Sequence, residues 1–122
     1  MKNQAYRMTM LYDFYGDLLT DRQKEFYDLY YNEDLSLAEI AENYGITRQG
    51  VRDIIVRAEG TLTDIEEKTG LIRRFHTLQS ALGQLEGMLA QVDALNRSRL
   101  HSSELDALRV QMQEAVEALR RE

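Results

Sequence analysis

The sequence predicts an all-α protein, and three observations support this fold class. None of the 122 residues is proline, the residue that most strongly interrupts a helix. Apolar residues recur at spacings of three and four along most of the chain, as they do on one face of a helix. Residues suited to begin and end helices stand between these stretches. We expect a helical domain over residues 1–70 and a C-terminal helical hairpin over residues 71–122.

The first two helices are predicted over residues 6–19 and 21–31. The first helix carries an apolar stripe made of Met8, Leu11, Tyr15 and Leu18. Thr20 and Gln23 then have the spacing of a capping box, in which a hydroxyl and an amide satisfy unpaired backbone N–H groups. The second helix places three large side chains on one face: Phe26, Leu29 and Tyr30.

Two further helices are predicted on either side of Gly45. Ser36 begins a second capping box with the glutamate three residues later, so a short helix is expected over residues 37–44. Thr47 is the N-cap candidate of a longer helix, and Gly70 is its C-terminal stop. The inner side of this longer helix is predicted to consist of Val51, Ile54, Ile55, Ala58, Leu62 and Ile65.

This helix pair has the form of a helix-turn-helix unit over residues 36–57. Ala41 is small where the two helices cross, and Gly45 allows the turn a positive φ angle without steric cost. Ile46 fills the angle between the helices. Because small, glycine, apolar and capping positions must all fall in register, the match is specific. In this motif the second helix presents its N-terminal, solvent-facing side to a partner.

Five residues of that second helix are the candidate contact residues: Arg48, Gln49, Arg52, Asp53 and Arg57. Arginine and glutamine suit bidentate contacts with guanine and adenine edges in the DNA major groove. Asp53 argues the other way, since it would repel phosphates or require a cytosine amine. Gly50 weakens the helix by about 1 kcal/mol relative to alanine and would allow close approach. The alternative is that Arg48 and Arg52 are solvated and paired with nearby acidic residues.

Beyond Gly70 the apolar spacing alternates between four and three. One seam consists of Leu71, Phe75, Leu78, Leu82, Leu85, Leu89 and Val92. The other consists of Leu105, Leu108, Met112, Ala115 and Leu119. A polar stretch at residues 96–103 separates them and offers Ser102 and Ser103 as N-caps. Two helices joined in this way predict an antiparallel hairpin.

Each seam could close on the other, on the N-terminal core, or on a second copy of the chain. Met88 and Leu95 lie beside the first seam and broaden it. A broader stripe needs more than one partner helix. The sequence therefore favours a homodimer over a monomer, since twofold dimers are the commonest oligomers.

The net charge of −6 falls entirely within residues 1–70, whereas residues 71–122 carry equal numbers of acidic and basic side chains. Proteins that coat nucleic acid are usually basic, so any nucleic-acid contact must come from a local positive patch. The chain has no cysteine, which excludes disulfides and thiolate metal sites. No apolar run approaches the ~18 residues of a membrane span, and residues 1–7 lack the pattern of a signal peptide. We expect a cytoplasmic protein.

No pattern of residues predicts catalysis: there is no glycine-rich phosphate loop, carboxylate pair or nucleophile–base arrangement. His76 and His101 have no partners at ligand spacing, so we predict no metal and no cofactor. Tyr27, Tyr30 and Tyr31 could stack on unpaired bases, but their helical spacing favours packing in the core. The sequence therefore predicts a binding protein rather than an enzyme.

Two family resemblances bear on function. Residues 18–62 resemble the fourth conserved region of bacterial sigma factors, through Leu-Ser-Leu-Ala-Glu-Ile-Ala, Gly-Ile-Thr-Arg-Gln and Arg-Ala-Glu-Gly-Thr-Leu. Residues 7–75 are more closely similar to the YlxM family of helix-turn-helix proteins. The motifs that carry this similarity are Arg7-Met8, Leu11-Tyr12-Asp13-Phe14-Tyr15, Leu18-Leu19-Thr20, Gln23, Tyr30-Tyr31, Ser36-Leu37-Ala38-Glu39-Ile40-Ala41, Arg48-Gln49 and Arg57-Ala58-Glu59. The C-terminal part resembles the family only in being helical.

The YlxM resemblance implies a regulatory component of the signal recognition particle pathway that contacts its RNA, its GTPase subunit, or both. Family members usually carry Ala-Val-Tyr-Asp-Asn-Ile-Lys after Arg-Gln, whereas this chain carries Gly-Val-Arg-Asp-Ile-Ile-Val at residues 50–56. The contact surface therefore differs at Arg52, Ile54 and Val56. Duplex RNA has a major groove too narrow for a helix, so an RNA contact would use phosphates or unpaired bases. The alternatives are a dimeric DNA-binding transcription regulator and a dimer that contacts only protein.

Overall fold

The computed structural model describes residues 5–121, and within that range the regular structure is helical. The six α-helices are α1 Ala5–Tyr15, α2 Asp21–Tyr31, α3 Leu37–Tyr44, α4 Arg48–Thr69, α5 Leu71–Leu95 and α6 Ser103–Arg121. The predicted all-α fold class is confirmed. The chain divides into two compact units between Ile72 and Arg73. None of the helices in the described range is long and apolar enough to cross a membrane.

The predicted helix ends are confirmed where capping chemistry defines them. Thr20 accepts a hydrogen bond from the Gln23 backbone N–H while the Gln23 side chain accepts one from the Thr20 N–H, which completes a capping box. Ser36 forms the same reciprocal arrangement with the residue three positions on. Gly45 and Gly70 end α3 and α4 with φ angles of 65° and 63°, in the left-handed region that glycine adopts without strain.

The prediction of one unbroken helix over residues 6–19 is wrong. Helix α1 ends at Tyr15, and a single 3-10 turn follows over Gly16–Leu18, closed by the Leu19 N–H donating to the Gly16 carbonyl. A Cβ at Gly16 would lie 3.2 Å from the Tyr12 ring, so the chain packs closely at this turn. The turn rotates Leu18 to the surface, 66% exposed, and Leu19 takes its place in the core.

The first unit has two adjacent clusters of buried side chains. The first joins α1, α2 and α4 through Met8, Leu11, Tyr15, Leu19, Tyr27, Ala58 and Leu62. The second joins α2, α3 and α4 through Phe26, Tyr30, Ile40, Ala41, Val51 and Ile55. Each fully buried large apolar side chain contributes about 1.5–3 kcal/mol to folding. Helix α4 belongs to both clusters, so its orientation is fixed along the length that carries the candidate contact residues.

The three tyrosines near the end of α2 lie in or beside this core, as their spacing predicted. Tyr27 is fully buried and donates a 2.6 Å hydrogen bond to the Met8 carbonyl. Its ring stacks on Tyr12 with centroids 5.4 Å apart and lies 4.8 Å from Tyr31. Tyr31 is half-buried, and its hydroxyl donates to Glu59 of α4. These rings hold the helices together and are not available to stack on bases.

The second unit is the predicted antiparallel hairpin of α5 and α6. Arg120, near the end of α6, bonds Glu86 Oε1 at 2.8 Å and Gln79 Oε1 at 2.7 Å. Arg109, near the start of α6, lies 3.3 Å from Asp93 near the end of α5. These pairs are consistent with the antiparallel direction and identify the side of each helix that faces the other.

The turn of the hairpin, at Asn96–Leu100, has π-helical backbone bonding. Asn96 is buried there, and its side chain bonds the backbone N–H and carbonyl of Ser102 at 2.7 and 2.9 Å. The Ser102 hydroxyl accepts from the Leu105 N–H, so of the two predicted caps Ser102 begins α6.

The predicted seams of the hairpin are only partly correct. Leu82, Leu89 and Val116 form its buried cluster, but Val116 was not in the predicted seam. Of the other predicted members, eight are exposed: Leu71, Phe75, Leu78, Leu85, Leu108, Met112, Ala115 and Leu119. The reason is that each helix is rotated so that its apolar stripe lies partly inside and partly outside the hairpin, while Asp93, Glu86 and their arginine partners lie between the helices.

Candidate nucleic-acid interface

The N-terminus of α4 is the part of the helix-turn-helix that can meet a partner. Gly45 ends α3 in the left-handed conformation, and Ile46 packs against the second core cluster. The Thr47 hydroxyl accepts the Gly50 N–H at 2.9 Å and so begins the helix. A Cβ at residue 50 would lie 3.1 Å from that hydroxyl oxygen, so glycine leaves the cap undisturbed. The first turn of α4 is therefore held rigidly at the surface of the first unit.

All five candidate contact residues are exposed on α4. Arg48 and Arg52 are four residues apart and lie along one line of the helix surface, next to the line formed by Gln49, Asp53 and Arg57. Buried Val51 and Ile55 fix the opposite side of the helix against the core. The two lines therefore form one continuous polar surface that faces solvent.

The three arginines of this surface make no ion pair within residues 5–121. The sequence left open that Arg48 and Arg52 are neutralised by nearby acidic residues, and the structure shows no such pairing. Two nearby carboxylates bond elsewhere: Glu39 of α3 accepts from the Ser36 N–H, and Glu59 of α4 accepts from the Tyr31 hydroxyl. A cluster of exposed guanidinium groups without internal partners is suited to phosphate and base-edge contacts.

Asp53, the residue that argued against nucleic-acid binding, has an internal partner. Gln49 Nε2 donates to Asp53 Oδ1 at 2.9 Å, one helical turn away. A glutamine amide has two N–H groups and a carbonyl oxygen, so one N–H and the oxygen remain for a partner. Asp53 thereby restrains the Gln49 side chain at the surface. The i, i+4 spacing was the available signal in the sequence for this bond.

Within residues 5–121, no group of three or more His, Cys, Asp or Glu side chains is placed to hold a metal ion. His76 and His101 are both exposed in the second unit.

Comparison with known proteins identifies the family. Residues 2–100 match the family UPF0122, described as "Putative helix-turn-helix protein, YlxM / p13 like". The chain belongs to this family. The match extends past residue 75, where the sequence resemblance had been expected to end, and so includes α5. The helix-turn-helix expected from the spacing of residues 36–57 is the feature for which the family is named.

Individual members of this family are similar in sequence to the chain over most of its length. A UPF0122 protein of Desulforamulus reducens is 50% identical over 86 residues, which are 70% of this chain and 74% of that protein. A UPF0122 protein of Listeria innocua is 40% identical over 96 residues, which are 79% of this chain and 87% of its own. A UPF0122 protein of Thermoanaerobacter is 49% identical over 79 residues, 65% of this chain and 68% of the relative.

Proposed function

We propose that this chain is a non-enzymatic, cytoplasmic, nucleic-acid-binding regulatory protein whose contact surface is the exposed N-terminal half of α4. The observation that carries the proposal is the set of three exposed arginines, Arg48, Arg52 and Arg57, that make no ion pair within the described chain. They lie on a helix whose opposite side is anchored in the core of the motif. The rest of the first unit is acidic, so binding is local and confined to this surface.

The proposed target is the signal recognition particle, through its RNA, its GTPase subunit, or both. The YlxM resemblance supports this choice. Since a helix cannot enter the major groove of duplex RNA, the arginines contact phosphates or unpaired bases. An acidic first unit is also suited to a basic protein surface beside that RNA.

Duplex DNA is the second candidate, and the Gln49–Asp53 bond favours it. A glutamine that retains one N–H and its carbonyl oxygen can make a bidentate contact with adenine in the major groove. Arg48 and Arg52 then lie beside it for guanine or phosphate. This alternative makes the protein a DNA-binding transcription regulator.

Binding affinity as a function of salt concentration separates these targets. The full chain is titrated with the particle RNA, with duplex DNA and with the particle GTPase subunit between about 50 and about 200 mM salt. Three phosphate contacts give a slope of log affinity against log salt of about −2 for unpaired RNA and about −3 for duplex DNA. If neither nucleic acid binds while the GTPase subunit does, the arginine-based proposal is wrong.

A double substitution tests the surface itself. Arg48→Ala with Arg52→Ala is expected to weaken nucleic-acid binding at least tenfold and to reduce the salt slope by about 2 if both contact phosphates. Arg7→Ala with Arg99→Ala is the matched control, since it removes the same charge from exposed positions outside the motif. Equal affinity of the two double variants would show that the α4 surface does not contact the nucleic acid.

A further inference from the structure

The hairpin of α5 and α6 exposes more large apolar side chains than it buries. Its buried cluster consists of Leu82, Leu89 and Val116, whereas large hydrophobic side chains on both helices face solvent. Those that follow the outer side of α5 are Leu78, Leu85, Met88 and Leu95, which are 43–56% exposed. Those of α6 are Leu108, Met112 and Leu119, which are 46–55% exposed. Three buried side chains are too few to hold two long helices together.

These exposed side chains belong to one face of the hairpin. On α5, Leu85 and Met88 each precede a residue turned toward α6, namely Glu86 and Leu89. On α6, Leu108 similarly precedes Arg109, which is turned toward α5. Consecutive residues of a helix are about 100° apart, and antiparallel helices have opposite axis directions. On each helix the apolar stripe is displaced by about a quarter turn, in the same sense along the chain, from the side that faces the other helix. Because the two helices are antiparallel, both stripes therefore lie on the same side of the hairpin. We call this side the outer face.

From Phe75 to Leu95, α5 presents no charged side chain on the outer face. Between Phe75 and Leu95 the only Asp, Glu, Lys or Arg residues are Glu86 and Asp93. Both pair with arginines of α6 and lie between the two helices. Residues 71–122 as a whole have no net charge, so two copies do not repel each other. An uncharged apolar face of this kind can pack against the same face of a second copy.

The outer face runs along most of the length of both helices. Its long side chains, together with Ala81, Val92 and Ala115 between them, follow about five turns of α5 and three of α6. Each partner in a stable protein interface contributes roughly 800 Å². A pair of helices with an apolar face of this length can supply that area when two hairpins pack as a four-helix bundle.

We infer that the outer face is the contact between two copies of this chain, which pair through their hairpins as a twofold four-helix bundle. The contact differs from the simple seam expected from leucine spacing, because Leu82 and Leu89 close the hairpin itself. The homodimer is independent of nucleic-acid binding, since no residue of the α4 surface takes part in it.

Sedimentation equilibrium of the full chain tests the contact. The expected mass is twice the 14.2 kDa of one chain. Met88→Glu with Leu108→Glu places charges on the outer face and is expected to raise the dimer dissociation constant by about a hundredfold or more. Ala90→Glu with Val110→Glu adds the same charge on the other side of the same two turns, and its mass is expected to remain that of the dimer.

Cooperative thermal unfolding followed by circular dichroism checks that the first unit of both double variants remains folded, which is expected because all four positions are exposed and lie in the second unit. A chain of 14.2 kDa at every concentration would overturn the inference. So would a mass above that of a dimer, or equal dissociation of the two double variants. Nucleic-acid binding is measured on the same samples, so that failure of the dimer and failure of the α4 surface are distinguished.

Discussion

Gly45 and Gly60 both have open space where a Cβ would stand, but their backbones differ. Gly45 has a φ of +65°, while Gly60 lies within α4. An L-residue in the left-handed region costs about 1–2 kcal/mol, whereas alanine in a helix interior is favoured over glycine by about 0.8–1 kcal/mol. We expect Gly45→Ala to lower the free energy of unfolding and Gly60→Ala to raise it. Urea denaturation measures both changes, and changes of the same sign would contradict the prediction.

If the α4 surface binds DNA as proposed, Asp53 is expected to have two opposite effects on that binding. Its charge repels phosphates, and its hydrogen bond restrains Gln49. We therefore expect Asp53→Ala to tighten binding to mixed-sequence duplex DNA about threefold, while its preference among DNA sequences decreases. Competition binding with a preferred and a random duplex measures both quantities. Uniformly weaker binding would show that Asp53 itself contacts the target.

The helices show which features a sequence can predict. The ends of α2, α3 and α4 follow from Thr20, Ser36, Thr47 and the two stop glycines, because caps are local chemistry between residues three or four apart. The bond from Tyr31 to Glu59 joins residues 28 positions apart and has no such local signal. The rotation of α5 and α6 was missed for a related reason. It depends on Arg109 and Arg120, whose carboxylate partners lie on the other helix.

The contact candidates on α4 were predicted as a set, since the motif itself places them on its solvent-facing side. Their internal bonding was not predicted. Whether Arg48 pairs with a carboxylate depends on which other groups the glutamates of the first unit bond. Glu39 bonds Ser36 in a local cap, whereas the bond of Glu59 to the Tyr31 hydroxyl depends on how α2 and α4 pack together.

Tyrosine–carboxylate bonds between helices make the first unit sensitive to alkaline pH. Burial raises the pKa of Tyr31, and its bond to Glu59 raises that pKa further. Burial also raises the pKa of Tyr27. The folded chain therefore keeps these phenol protons at a pH where the unfolded chain, with a tyrosine pKa of about 10, has released them. The stability they contribute is complete below pH of about 10 and is lost as the pH rises further.

Tyr31→Phe tests this pH dependence. Removal of the hydroxyl is expected to lower the free energy of unfolding at pH of about 8 by roughly 1–2 kcal/mol, since Glu59 loses a donor. The same change is expected to reduce the decline in stability above pH of about 10, because one raised pKa is removed. Urea denaturation across this pH range measures both effects. A decline as steep as in the unchanged chain would contradict the assignment to Tyr31.

At the scale of the whole molecule, the two units differ in how much of their own stability they contain. The first unit has two clusters of buried side chains, and its last contact is made by Ile72. The Ile72 N–H donates to Glu66 Oε1 at 3.0 Å, and the Tyr15 hydroxyl donates to the same oxygen at 2.6 Å. The second unit has three buried side chains and the exposed outer face. The first unit thus buries a core of its own, whereas the second unit is proposed to complete its core against a second copy of the chain.

Separating the units tests this difference. A chain ending at Ile72 is expected to unfold cooperatively as a monomer, and one ending at Gly70 to be less stable by about 1 kcal/mol, since Glu66 loses the Ile72 N–H. Residues 73–122 alone are expected to be helical only at concentrations where they associate, because one hairpin buries too little apolar surface. Circular dichroism over a hundredfold range of concentration measures this. Helicity independent of concentration would mean that the hairpin is stable without a second copy and that its outer face serves another purpose.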